Sequence, residues 1–150
     1  MKQSAHRTVQ KNRILAVFIV AVLALLLTAC GNSGGDKVER FAEATPDSGE
    51  NIGIPGYETL IFAADKISQT VNLKNPATNA CAFVLTLTLD DGTIIWTGET
   101  LSPGMAFTRI TLTRPLDAGE YEATLHYDCY SLNDNTPLNG ADIKLKIEVR

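Results

Sequence analysis

The stretch DAGEYEATLHYDC, residues 117–129, decides how the rest of the chain is read. Its alternate members Tyr121, Ala123, Leu125, Tyr127 and Cys129 are apolar or aromatic, and Glu122, Thr124, His126 and Asp128 between them are polar. A period of two sends successive side chains to opposite faces of an extended strand, so one face of this segment meets a core and the other meets water. The Asp-Ala-Gly in front of it supplies turn formers.

The same alternation recurs on either side, in ISQTVNL (Ile67, Val71, Leu73), in CAFVLTLTL (Cys81, Phe83, Leu85, Leu87, Leu89) and in IKLKIEV (Ile143, Leu145, Ile147, Val149). With YETLIFAA, IIWTG and AFTRITLT the chain offers seven strands separated by Asn/Pro, Asp-Gly, Pro-Gly and Ala-Gly turns, and no amphipathic helix of useful length competes. Seven short strands with such turns predict an all-β sandwich over residues 57–150. One hairpin is registered from sequence. A two-residue Asp91-Gly92 turn sets Leu89 opposite Ile94 and Leu87 opposite Trp96, which buries Ile94 and Trp96 and turns Ile95 outward.

The DAGEY segment is similar to the tyrosine corner of immunoglobulin-like domains, where a turn delivers a Tyr whose hydroxyl returns to nearby backbone. The order Cys81, Trp96, Cys129 also resembles that class. There is a departure: Ala123 stands two residues after Tyr121, where antibody domains carry the second cysteine. The resemblance therefore implies an immunoglobulin-like, seven-stranded sandwich without the antibody-type bridge between sheets.

The N-terminus speaks of location. Lys2, Arg7, Lys11 and Arg13 precede fourteen apolar residues from Ile14 to Leu27, and the first acidic residue is Asp36. Fourteen residues make a helix of only about 21 Å, short of the roughly 30 Å hydrocarbon core, so the run reads as a signal-peptide core, with an uncleaved anchor as the alternative. Leu27-Thr28-Ala29-Cys30 resembles the lipobox of bacterial lipoproteins, and the mature chain resembles small envelope proteins of Gram-positive bacteria. The lipobox implies that residues 1–29 are removed and that Cys30 carries a diacylglyceryl thioether. Its acyl chains then hold the protein on the extracytoplasmic face of the cell membrane without a transmembrane helix. Residues 30–56, rich in Gly, Ser, Pro and acids, read as a disordered tether whose ends lie roughly 28 Å apart. Of thirteen basic residues four lie before residue 14, so the mature chain sets nine against seventeen acidic ones, a net of -8. That balance argues against nucleic acid as a partner.

With Cys30 committed to lipid, two cysteines remain, on inward positions of the third and sixth strands, which run antiparallel side by side in an immunoglobulin-like sandwich. A Cys81–Cys129 disulfide is expected on this ground, and it would contribute roughly 4 kcal/mol through loop closure. The alternative is two buried thiols acting as small hydrophobes.

Catalytic chemistry finds no foothold in the sequence. His126 takes an outward position without a Cys or His partner at metal-ligand spacing, and G-x-S-x-G, H-E-x-x-H and phosphate-loop patterns are missing. Asp90 and Asp91 are explained by their turn, and Asn133, Asp134 and Asn135 match no calcium loop. No catalytic residue, metal or cofactor is expected. Binding is the stronger class. The loop at 131–140 should share one end of the sandwich with the loops at 75–79 and 100–105. It brings Tyr130, Asn133, Asp134 and Asn135, a composition suited to partner recognition. The edge strands near Tyr57–Ala63 and before Gly98 offer a second mode, strand addition. The expected function is a lipid-anchored, non-enzymatic interaction module meeting an envelope protein. Alternatives are a glycan- or ligand-binding domain, which needs Tyr57, Tyr130 or Trp96 exposed, and a protease-inhibitor-like sandwich.

Overall fold

The computed structural model describes residues 35–46 and 52–150. The expected signal peptide, the expected lipobox and Cys30 lie outside the described residues. Eight strands follow in order: β1 (Lys37–Arg40), β2 (Thr59–Phe62), β3 (Ser68–Lys74), β4 (Cys81–Leu89), β5 (Ile94–Thr97), β6 (Met105–Thr111), β7 (Gly119–Ser131) and β8 (Ala141–Val149). They form a three-stranded sheet, β1-β6-β3, and a five-stranded sheet, β2-β8-β7-β4-β5. All pairs are antiparallel except β2 with β8. The result is a β-sandwich.

The predicted alternation is borne out where it was strongest. Ala123, Leu125, Tyr127 and Cys129 of β7 are buried, as are Cys81, Phe83, Leu85, Leu87 and Leu89 of β4. Phe83, Trp96 and Leu125 share one interior with Leu73, Phe107 and Ile110 from the opposite sheet. Trp96 meets Phe107 edge-on at 5.0 Å between ring centres, joining the sheets, and Phe83 meets Tyr127 in the same manner at 5.2 Å. Gly98 is required here, because a Cβ at that position would sit 2.6 Å from the Trp96 ring.

Tyr121 forms the expected corner: its hydroxyl donates to the carbonyl of Asp117 at 3.0 Å. A Tyr121→Phe variant removes that bond while keeping the ring, and should lose about 1 kcal/mol in a urea-unfolding comparison. An unchanged midpoint would show that the corner is ornamental.

Two expectations about strands need correction. The described residues form eight strands, not seven, and the extra one, β1, falls in the stretch read as tether. All four of its side chains are exposed, so it carries no apolar alternation to announce it. It is held through its backbone along β6, with Val38 opposite Phe107 and Arg40 opposite Met105. The segments that follow are also attached. Phe41 and Ala42 N–H both donate to Gly104 O, Thr45 N–H donates to Ala77 O, and Pro55 O accepts the hydroxyl of buried Tyr127 at 2.9 Å.

The second correction concerns the β4–β5 hairpin. Leu87 faces Trp96 as predicted, but Thr88, not Leu89, lies opposite Ile94. Gly92 N–H donates to Leu89 O, and Leu89 N–H donates to Thr93 O. Asp90, Asp91 and Gly92 thus form a three-residue loop, with Gly92 at φ 85° as its left-handed residue. A bulge at Ile95 then restores the register between Leu87 and Trp96. A bulge sends two successive side chains to one face, so Ile95 and Trp96 are both buried and Ile94 is 54% exposed.

The strands define two ends of the sandwich. The chain enters at the start of β1, beside the β4–β5 hairpin and the β6–β7 connection. At the other end lie the β3–β4, β5–β6 and β7–β8 loops, joined by Gly104 N–H to Asn75 O at 2.9 Å and by the pairing of Cys81 with Ser131. The three loops expected to share an end do so.

Candidate functional site

At this second end β7 finishes opposite the start of β4, Ser131 pairing with Cys81, and a turn leads on to β8; Asn133, Asp134 and Asn135, singled out from sequence, lie in that turn, and Tyr130 lies at the end of β7. Ser131 N–H donates to Thr136 O, Asn135 N–H donates to Ser131 O, and Leu138 N–H donates to Cys129 O. Asn135 sits at φ 57°, a conformation Asn tolerates better than most residues. Asp134 Oδ1 accepts from Thr136 Oγ1 at 2.9 Å and from Thr136 N–H at 3.2 Å, and Asn133 N–H donates to Ser131 Oγ at 3.2 Å. Hydrogen bonds from Ser131 and Thr136 hold the Asp134 carboxyl below its ordinary pKa. Asn133, Asp134 and Asn135 therefore build the turn, while Tyr130 is half-buried and bridges to Pro137. Sequence reasoning missed the groups that this turn presents: Leu132 and Leu138 flank it, 45% and 42% exposed.

In the neighbouring β3–β4 loop the two asparagines turn inward. Asn75 and Asn79 are buried. Asn75 Nδ2 donates to Cys81 O and Leu101 O, both at 2.9 Å, and its Oδ1 accepts from Asn79 Nδ2 at 2.8 Å. Asn79 completes the set with Gly53, accepting from its N–H at 2.8 Å and donating to its carbonyl at 2.9 Å.

The cysteine pair is a correction as well. Strands β4 and β7 are neighbours, as expected, but Cys81 lies opposite Ser131 and Cys129 opposite Phe83. The two are offset diagonally by two residues, and diagonal pairs stand roughly 7–8 Å apart at Cα, beyond the usual disulfide span. Both are free, buried thiols. Burial raises the pKa of Cys81 and pushes Cys129 up to about 12. Alkylation of the native protein near pH 8 should therefore leave both unmodified, and alkylation in denaturant should modify both. A denatured chain that resists the reagent at both positions would restore the bridge.

On the outer face of the five-stranded sheet His126 has company that its own strand only half reveals. Asp142, directly opposite on β8, contacts Nδ1, and Asp128 contacts Nε2 at 3.1 Å. The hydrogen bond with Asp142 raises the imidazole pKa, partial burial opposes it, and Asp128 adds to the rise. A raised folded-state pKa stabilises the fold fully below the unfolded value of about 6.5 and ceases to do so as pH climbs through the folded value. His126→Ala should cost most near pH 5.5, by less than about 1 kcal/mol for so exposed a group, and least near pH 9. Equal losses in urea titrations at both pH values would contradict the pairing. Among the described residues no group of three His, Cys, Asp or Glu side chains is arranged to hold a metal ion.

A groove of about 560 Å³ opens between β1 and β5, lined by Val38, Ile94, Trp96 and Phe107 with Asp36 and Glu99 among the polar groups. Asp36 closes its floor: Oδ2 accepts from Trp96 Nε1 at 2.6 Å and Oδ1 from Thr111 N–H at 2.7 Å. Trp96 is 1% exposed, so it offers no stacking platform for a sugar ring, and the Tyr57 hydroxyl is occupied by Lys74 N–H at 2.9 Å. The two strands expected at sheet edges, β2 and β5, are the edges of the larger sheet. On β5 the carbonyl of Ile95 is taken by Thr113 N–H at 2.8 Å, which blunts that edge. No family model matches this chain, and neither the curated proteins nor the solved structures contain a match.

Proposed function

We propose that the protein is a lipid-anchored, non-enzymatic interaction module of the cell envelope, carried on the extracytoplasmic face by acyl chains on Cys30. Its scaffold in this reading is an immunoglobulin-like sandwich. The Tyr121 corner and the adjacent β4–β7 pair support that assignment. The N-terminal strand β1, lying beside β6, is this chain's own variation.

The observation that carries the functional reading is the β7–β8 turn: two exposed leucines held in water by a turn whose own hydrogen bonds fix its shape. Apolar groups pre-positioned on a stiff turn meet a protein partner without a large ordering cost. Tyr130 and Pro137 extend that surface, and the tyrosine, asparagines and Asp134 give it an amphipathic, hydrogen-bonding rim. In intact cells, a photocrosslinking amino acid at Leu132 or Leu138 should yield a discrete protein adduct that the same group at Glu122 does not. Identical products from all three positions, or bulk membrane proteins only, would overturn the reading.

A further inference from the structure

The turn's distance from the membrane is set by the other end of the molecule. Five residues, Gly31 to Gly35, separate Cys30 from Asp36. Asp36 is fixed on the sandwich by its bonds to Trp96 and Thr111. Six steps along a fully extended chain reach about 21 Å, so an anchor at Cys30 allows the entry point no greater distance from it. That is a leash, in place of the tether over residues 30–56 read from composition.

The end so held carries two exposed isoleucines, Ile67 at 46% and Ile94 at 54%. One short segment joins them: Leu112 N–H donates to Ile67 O, and Thr113 donates through its N–H to Ile95 O and through Oγ1 to Ile94 O. Gly35, next to Asp36, lines the same groove as Ile94. Lys37, Lys66, Arg114 and Arg150 at this end are outnumbered by Asp36, Asp65, Asp90, Asp91, Asp117 and Glu120, so the net charge does not favour anionic lipid and the contact there is apolar. Strand β7 runs from Gly119 at this end to Ser131 at the other, and its thirteen residues span about 40 Å.

We infer that the Ile67–Ile94 end of the sandwich rests on the surface of the bilayer holding the acyl chains of Cys30, so that the β7–β8 turn points away from the membrane. This rests on the lipid-anchor reading given above. The short leash keeps the apolar end within reach of lipid, and the length of β7 carries Leu132 and Leu138 clear of it.

The test uses the full, lipidated protein in vesicles of phosphatidylglycerol and phosphatidylethanolamine containing a lipid spin-labelled near its headgroup. Ile94→Cys and Asn133→Cys variants are each labelled with a fluorophore, the two native thiols being buried. Quenching at position 94 should exceed that at 133 several-fold and persist in high salt. Equal quenching, stronger quenching at 133, or loss of the signal in salt would overturn the orientation. Intact mass of the same samples separates the two ideas: a Cys30 without acyl chains overturns the anchor and the orientation together, whereas an acylated Cys30 with the wrong quenching pattern overturns the orientation alone.

Discussion

A chain shortened to begin at Tyr57 is expected to be less stable than one beginning at Cys30 by about 3–5 kcal/mol, since several hydrogen bonds are lost at once and some leave buried partners unpaired. The truncation removes β1, so β6 loses its partner from Met105 to Arg109. It removes Asp36, and with it the carboxylate that accepts from Trp96 Nε1 and Thr111 N–H. It also removes Pro55 O from the hydroxyl of Tyr127, a fully buried ring. For a small domain whose total stability is on the order of 5–15 kcal/mol, such a loss brings the fold near its threshold. Urea unfolding of the two chains makes the comparison. Equal midpoints would mean that β1 only decorates the sandwich.

The second large effect is expected at Asn75. Asn75→Leu keeps the volume and removes every polar contact of the side chain, stripping one partner each from Cys81 O, from Leu101 O, which keeps Phe83 N–H, and from Asn79 Nδ2, which keeps Gly53 O. Buried polar groups stripped of a partner cost about 1–3 kcal/mol each, so the variant should lose roughly 3 kcal/mol or more. Asn79→Leu should be milder, because it spares both carbonyl contacts and breaks the Gly53 pair and one bond to Asn75. A loss below about 1 kcal/mol at Asn75 would show that water replaces the amide there.

These two sites also mark the boundary of what the sequence discloses. Strands β4, β7 and β8 were legible because each has one apolar and one polar face, and Tyr121 was legible because a turn and an aromatic at fixed spacing have a mechanical meaning. Strand β1 was not, since all four of its residues face solvent and its attachment is made by backbone and by Asp36, from outside its own pattern. Asn75 and Asn79 looked like ordinary loop formers; only the fold turns them inward. The hairpin failed by a single residue, because Asp-Gly serves a two-residue and a three-residue loop alike and a bulge at Ile95 inverts which isoleucine is buried. The cysteines failed by two residues of register between strands correctly judged adjacent. At the candidate site the composition of Tyr130, Asn133, Asp134 and Asn135 points to binding, whereas the three polar residues build the turn; the leucines it displays carry no local signal. His126 and Asp128 stand two apart on one strand face, a visible hint, whereas Asp142 comes from the opposing strand.

Intact-mass analysis of the protein extracted from membranes in detergent tests the account at its root. The anchored-module reading predicts a chain beginning at Cys30 whose mass exceeds that of its residues by a thioether-linked diacylglyceryl group. A chain still carrying residues 1–29, or one cut before Cys30 but bearing no acyl group, would contradict it.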